Sequence, residues 1–489
     1  MDRQTPSLAR TAWTGRLLGL QAAMRILEPL DHRRWSVGSF ADEFEAVRAG
    51  GPEGVARFAA SIDPEWISEA LKATGKASVR TRKFPAEMAI WLVIALGLFE
   101  DRSIAEVVDH LGLVVPGVRS LTPSAVAQAR YRVGPDPLRW LFLTAAQEWA
   151  DEPEQGAWRG LALYGVDGTH LRLPDTDGNF EAFGMPGGRN GPGDAGYPQV
   201  RLVCLLNLST RLLVDAEMGP WRASEHELAS DLWSVIPEDS LTLLDRGFVN
   251  YAAYLRVTQG ARNRNLLGRM KSNQKFELLE TLSDGTLLGR FTLSAAARKS
   301  NPDLPEQFVA RVIEYQNERG EEGRLLTTLL DPELWPADEL VELYHQRWEL
   351  EVAFDELKTH MLERKEALRS LKPDGIRQEV WGLLLTYNLV RREMALAAKE
   401  FKLPANRIAF VPALHWIRAF WLTGWRTAPA TLPLHLGKLR SSLRLLVLPP
   451  RRPLRRYPRQ VKIKMSNYPR NRGGRGSGKR SKNLGDIPK

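Results

Sequence analysis

The sequence predicts an α/β fold: a mixed sheet flanked by helices, preceded by a helical region and interrupted by a β-rich insertion. Three observations carry this expectation. Between Trp158 and Ser272, strand and helix patterns follow one another in the order βββαβαβ. Two hairpin patterns follow before about residue 330. Before about residue 156, apolar positions recur at helical spacing instead. Hydrophobic residues make up 43 % of the 489, enough for a sizeable core.

The N-terminal helices are predicted over Ala41–Ala49, Ile67–Ala73, Ala86–Phe99 and Ile104–His110. In LTPSAVAQARYRV, Thr122 suits an N-cap and Pro123 the first helical position. With Ser103–Leu111 before it, this stretch reads as a helix-turn-helix whose second helix presents Gln128 and Arg130 to DNA. A plain helical bundle fits the same pattern equally well. Next, GLALYGVDGTHLRLP, YPQVRLVCLLNLST and RLLVDAEMG alternate as strands. SEHELASDLWSVI reads as one helix, with Ser224 and Glu227 as a capping box. SLTLLDRGF is a fourth strand, Tyr251–Thr258 a helix and NLLGRMKS a further strand. FELLETLSDGTLLGRFTLS predicts a hairpin turning at Asp284–Gly285, and FVARVIEYQNERGEEGRLLTTLL a second. Helices resume after Pro336; Ile376–Lys399 is strongly apolar on one face.

Charge is uneven along the chain. The segment 451–489 holds 14 Lys and Arg against one acid, a net of +13, while the rest carries −3. Such an arm suits a polyanion, with nucleic acid as the expected partner. One cysteine, Cys204, excludes an internal disulfide, and no Cys/His spacing suggests zinc. The longest apolar run, Met88–Phe99, is 12 residues, too short to span a bilayer. The N-terminal MDRQTPSLARTAW lacks a signal-peptide core. These features predict a soluble cytoplasmic protein with no membrane partner.

Two strands place an acid on an apolar face. Leu161, Leu163, Gly165 and Asp167 share one side at period two, as do Leu241, Leu243 and Asp245. An ionised carboxylate there is costly unless paired. A third acid lies in YHQRWELEVAFDELK. Taking Tyr344 as zero, Arg347, Glu351 and Lys358 fall at about 300°, 340° and 320° on a helical wheel. This stripe borders the apolar stripe of Leu343, Leu350, Phe354, Leu357 and Met361. On the same wheel Glu349 and Glu356 fall at about 140° and 120°, away from the core, and should be neutral to substitution. Carboxylates without a His/Cys cluster favour Mg²⁺ or Mn²⁺. That chemistry suits phosphoryl transfer, with Arg347 and Lys358 on phosphate.

Tyr344-x2-Arg347-x3-Glu351-x6-Lys358 resembles the YREK signature of the insertion element 4 family of DDE transposases. VDGTHLRLP and LLDRGF resemble the family's two Asp motifs, and TPSAVAQARYRVGPDPLRWLF its N-terminal region. The resemblance implies a ribonuclease H-like core in which Asp167, Asp245 and Glu351 are the catalytic acids and hold two Mg²⁺ ions, with Mn²⁺ as a substitute. It implies that Tyr344, Arg347 and Lys358 contact double-stranded DNA, at element ends and target, and that a homodimer assembles there. Cutting at terminal inverted repeats, a hairpin intermediate and strand transfer are expected, with no small-molecule substrate. The expected division is a helical DNA-binding domain over 1–156, catalytic core over 157–270 and 336–400, insertion over 271–335, helical region over 401–450 and basic disordered tail over 451–489. A domesticated DNA-binding protein, or a nuclease of the same fold, are the alternatives; flanking inverted repeats would distinguish them. The only tryptophan near the insertion that could stack on a flipped base is Trp335.

Overall fold

A computed structural model describes residues 62–77, 84–110, 121–150, 157–187, 196–258, 261–316, 320, 322–362, 367–424 and 432–449. The predicted Ala41–Ala49 helix, residues 111–120 between the two expected DNA-binding helices, and the basic tail lie outside them.

Among the described residues five helices come first: α1 (Pro64–Ala73), α2 (Ala86–Leu98), α3 (Ile104–His110), α4 (Pro123–Val133) and α5 (Asp136–Ala150). Thr122 caps α4 as expected, accepting from the Ala125 amide at 3.2 Å, with Pro123 opening the helix. The chain then forms β1 (Ala162–Arg172), α6 (Asp177–Phe183), β2 (Gln199–Asn207), β3 (Leu213–Pro220), α7 (Glu225–Ala229), β4 (Ser240–Leu244), α8 (Tyr251–Thr258) and β5 (Arg264–Arg269). The insertion follows as β6 (Glu277–Thr281), β7 (Leu287–Thr292), α9 (Ala295–Ser300), β8 (Gln307–Gln316) and β9 (Glu322–Thr327). Its first hairpin turns through Gly285, at φ +81°.

The nine strands make one sheet, ordered β3-β2-β1-β4-β5-β9-β8-β7-β6. The first five run 3-2-1-4-5, with β1, β4 and β5 parallel and β2 antiparallel to both of its neighbours, β1 and β3, which is the ribonuclease H-like arrangement. The insertion is not a sheet of its own. Strand β9 pairs antiparallel with β5, at Leu267 with Thr327, and carries the sheet onward.

Beyond the insertion lie α10 (Ala337–Tyr344), a 3₁₀ turn (His345–Arg347), α11 (Trp348–Asp355), a π-helical turn (Glu356–Met361), α12 (Pro373–Phe401), α13 (Phe410–Gly424) and α14 (Leu432–Leu443). Helix α12 packs against α2 and α5, so the N-terminal helices share a core with one face of the sheet. The other face is covered by α8 and by Leu232, Trp233 and Ile236. Both faces of β1 are therefore buried: Leu161 and Leu163 on one side, Tyr164 and Val166 on the other.

Two expectations need correction. SEHELASDLWSVI is not one helix: α7 stops at Ala229 and a 3₁₀ turn spans Leu232–Val235. Ser224 makes no side-chain cap bond. Burying Leu232 and Trp233 against the sheet prevails over helical continuity. Nor is the Tyr344–Lys358 stretch a uniform helix, since it passes through 3₁₀, α and π geometry in turn.

Candidate active site

Asp167 and Asp245 come from adjacent parallel strands. Val166 pairs with Leu244, so each aspartate is the next residue along its chain. Asp167 stays within β1, opposite Cys204 of β2. Its Oδ1 accepts from the Gly168 amide at 2.8 Å. Asp245 has just left β4, and its Oδ1 accepts from the Phe248 amide at 2.9 Å, fixing the turn.

Helix α11 reaches this strand end because of a glycine. A Cβ on Gly165 would stand 2.6 Å from Leu350 Cδ1, so a larger residue would push the Leu350 side chain out of its seat on β1. With Leu350 seated there, Glu351 follows on the side of Asp167. Arg347 joins the two acids: its guanidinium lies 3.6 Å from Asp167 Oδ2 and 3.0 Å from Glu351 Oε1. Gly168 has a similar role. A Cβ there would meet Glu225 Oε1 at 2.7 Å, so Gly168 admits a fourth carboxylate beside Asp167. Glu225 pairs with Arg201 at 3.6 Å, and Arg201 Nε donates to His170 Nε2 at 2.9 Å.

The electrostatics follow from this crowding. Burial, joined by Asp245 and Glu225, pushes the Asp167 carboxyl up to about 6, against the pull of the Gly168 amide and Arg347. Burial also pushes the Tyr344 phenol up to about 12, with Asp245 adding to it and Arg347 opposing. The His170 imidazolium is disfavoured by burial, then by Arg201 and Lys358. Lys358 therefore stands close enough to β1 for its charge to act there. A cleft of about 630 Å³ adjoins this region, lined by Arg246, Arg269, Lys271 and Arg324 and by Glu314 and Glu322, with Arg324 paired to Glu314 at 2.8 Å.

The structure thus gathers Asp167, Asp245, Tyr344, Arg347 and Glu351, with Lys358 near His170. Gln128 is exposed on α4 and donates to Ser124 Oγ at 3.3 Å. Arg130, expected on the DNA face, is 8 % exposed. Its Nε donates to Gln378 Oε1 at 3.0 Å and its Nη2 to Ser370 Oγ at 3.2 Å. It joins α4 to α12 instead of reaching out, because α12 packs over that side of α4. Trp335 packs its ring on Trp158, centroids 5.3 Å apart.

The wheel placement of Glu349 and Glu356 is also overturned. They are 2 % and 3 % exposed, and both pair with Arg211. The wheel assumed that one face of the helix meets solvent, whereas α12 and α13 cover it here. Sequence reasoning missed Arg211, Arg391 and Glu225. For the first two, the available signal was a pair of acids seven residues apart on one helix face.

Comparison with known proteins fits this geometry. The family model for the insertion element 4 transposase N-terminal region matches residues 52–143, and that for the transposase DDE domain matches 160–389. The transposase InsG for insertion sequence element IS4 of Escherichia coli is 33 % identical over 410 residues, 83 % of this chain and 92 % of that protein. The chain belongs to the insertion element 4 family of transposases. A putative transposase InsZ of Escherichia coli is 35 % identical over 243 residues, 48 % of this chain and 79 % of that protein. Among solved structures, a piggyBac transposase synaptic complex with hairpin DNA aligns over 82 % of this chain and 86 % of that one, at 13 % identity and a TM-score of 0.39.

As a member of this family the protein is a DDE transposase, a polynucleotidyl transferase and endonuclease that binds DNA and depends on a divalent metal. The donor set suits such an ion: hard carboxylate oxygens, crowded and incompletely neutralised. Among the described residues no three acidic, His or Cys side chains converge tightly enough to hold one ion as they stand. Arg347 occupies the position between Asp167 and Glu351 as their present counter-charge. Among the described residues, no helix is long and apolar enough to cross a membrane.

Proposed function

We propose that this transposase cuts its element at terminal inverted repeats and joins it to target DNA by two-metal phosphoryl transfer. Asp167, Asp245 and Glu351 are the ligands, for two Mg²⁺ ions or Mn²⁺ in their place. When bound, the ions activate the attacking oxygen and neutralise the leaving one. Arg347 exchanges its two carboxylates for a DNA phosphate as the end docks, which frees the acids for metal. Lys358 and Tyr344 grip the backbone of the DNA end, and the basic cleft beside Arg246 and Arg269 takes the adjoining strand. Water cleaves one strand and frees the element's 3′-hydroxyl. That hydroxyl attacks the phosphodiester of the opposite strand, closing a hairpin and releasing the flanking DNA with a 3′-hydroxyl. A second water opens the hairpin, and the restored 3′-hydroxyl attacks a target phosphodiester, displacing a target 3′-oxygen. Two chains pair on the two element ends, and the segment 451–489 adds phosphate contacts of no sequence preference. The domain division given by the sequence forms part of this reading.

The single observation behind it is Arg347 shared by Asp167 and Glu351, beside the neighbouring strand end that carries Asp245. The test incubates the full chain with a duplex bearing the terminal repeat, in Mg²⁺, Mn²⁺ or EDTA. Nicked, hairpin and joined products should form with either metal and fail with EDTA. Asp167→Asn and Asp245→Asn should bind the duplex and leave it uncut. Products in EDTA would overturn the metal assignment, and nicks without hairpins would leave a nuclease.

A further inference from the structure

Glu349 and Glu356 bracket Glu351 in the sequence, seven residues apart, and both are buried with Arg211 and Arg391. Arg211 Nη2 lies 2.5 Å from Glu349 Oε2, and its Nη1 lies 2.5 Å from Glu356 Oε1. Arg391 Nε donates to Glu356 Oε2 at 3.0 Å, and its Nη2 pairs with Oε1 of the same acid. The Tyr387 hydroxyl donates to Glu356 Oε2 at 3.1 Å. Arg211 comes from the turn between β2 and β3, Arg391 and Tyr387 from α12. Two acids thus meet two guanidiniums, and the charge closes on itself inside the protein.

We propose that this buried frame is a positioning device that fixes the rotation of α11 and of the π turn, and thereby sets Glu351 and Lys358 against β1. It rests on the reading of Glu351 and Lys358 given above. Three observations carry it. First, Arg211 holds φ +61°, a left-handed backbone uncommon outside glycine and asparagine, and its surroundings must over-determine it. Second, Glu356 opens the π turn that contains Lys358. A π turn adds a residue to the helical turn and is rare, and here it begins at the residue held from two sides. Third, apolar packing alone leaves the helix free to rotate slightly. Leu350 on Gly165 sets how closely α11 approaches β1. Forked charge pairs on the opposite side fix its angle, since Arg–carboxylate bonds are directional.

The experiment uses the full chain with a duplex of its terminal repeat. Three readouts are taken: metal-free thermal unfolding, duplex affinity, and the Mn²⁺ concentration giving half the maximal shift in unfolding temperature. Glu356→Gln and the milder Arg211→Lys should raise that Mn²⁺ concentration by about tenfold or more, as disturbed ligand supports do. Duplex affinity should stay within about threefold, since Lys358 is one phosphate contact among several and the others lie outside the frame. A second variant separates positioning from stability: Arg211→Met, Glu349→Met, Glu356→Met and Arg391→Met combined, with Tyr387→Phe. Replacing a whole buried ion set by apolar side chains of similar volume is often neutral for folding. If the variant regains wild-type unfolding while its Mn²⁺ requirement stays raised, the frame positions. A wild-type Mn²⁺ requirement in any folded frame variant overturns the proposal and leaves the frame a folding element only. Glu351→Gln is run alongside. If it keeps the wild-type Mn²⁺ response, the active-site reading fails, whatever the frame variants do.

Discussion

Helix α11 and the turns around it carry acids on two sides. On one side Glu351 is 40 % exposed and shares Arg347 with Asp167. On the other, Glu349 and Glu356 are buried, with two guanidiniums between them. Residue type does not separate the rows. What separates them is whether the protein neutralises its own charge. The inner row is closed: two carboxylates, two arginines and a phenol. The outer row is open: Asp167 and Glu351 share one Arg347, Asp245 and Glu225 crowd Asp167, and burial with that crowding pushes the Asp167 carboxyl up to about 6. An open cluster of acids is a demand for an outside cation, and perturbed groups of this kind mark functional sites. The closed row holds the open one in place.

The largest effect expected is on the open row. Glu351→Gln removes one ligand charge, and metal stabilisation of the reacting oxygens is worth several kcal/mol. Cleavage should therefore fall by about 10³-fold or more, at 1.36 kcal/mol per tenfold. Its folding and its affinity for the element end should hardly change. Retained cleavage in a gel assay would show that the outer row is not the reactive one.

The closed row should respond in the opposite way. Glu356→Gln takes from Arg391 the carboxylate it forks onto and from Arg211 one of its two acids. Removing one member of a buried ion set costs about 3–5 kcal/mol. Denaturant unfolding should show this loss, whereas Glu351→Gln should lie within about 0.5 kcal/mol of wild type, as exposed substitutions do. Equal stability of the two variants would erase the distinction between the rows.

A third test sharpens the contrast through pH. The Asp167 carboxyl has a folded value near 6, above the ordinary carboxylate value. The native state therefore binds that proton more tightly than the unfolded chain does. Below about pH 4 the group is protonated in both states and costs nothing. As pH rises towards 6 the native state loses stability, and above 6 the loss is complete. In EDTA, Asp167→Asn should thus unfold later than wild type at pH 7.5, by roughly 2–3 kcal/mol at most. The gap should close towards pH 4, and added Mn²⁺ should reverse the order. A gap independent of pH would mean that packing, not charge, explains it.

Much of this site was legible in the sequence. Asp167 and Asp245 stood out because an acid at period two on an apolar strand face contradicts its surroundings. Tyr344, Arg347, Glu351 and Lys358 stood out because a polar stripe bordered the core. The insertion was visible as two hairpins, although its pairing to β5 was not, since strand partners far apart in sequence leave no local pattern. The wheel failed for Glu349 and Glu356 for a definite reason. It measures direction around one axis and assumes a single buried side, but α11 lies between β1 and the later helices. Acids on its far side meet arginines from the β2–β3 turn and from α12, 138 and 35 residues away in the chain. Glu225 was hidden differently. It sat between Ser224 and Glu227, the two residues of the expected capping box, and its carboxylate lies against Gly168, where its charge acts on Asp167.

The smallest expected effect lies far from these rows, on α4, where one polar pair splits in the same way. Gln128 is exposed, while Arg130 is buried and bonded to Gln378 and Ser370. Arg130→Met keeps the stem and loses two hydrogen bonds, so stability should fall by about 1–2 kcal/mol. Because the groove carries no imprint of a residue that never reaches it, binding to repeat and to random DNA should weaken together or not at all. Gln128→Ala should leave stability within about 0.5 kcal/mol. If α4 reads bases, a lost amide contact should narrow the preference for the terminal repeat by about tenfold, near the lower end for a base-edge pair. Competition binding with repeat and scrambled duplexes at one salt concentration measures this directly. An unchanged preference would remove Gln128 from DNA recognition and leave α4 a packing helix, with both of its polar residues explained by the fold.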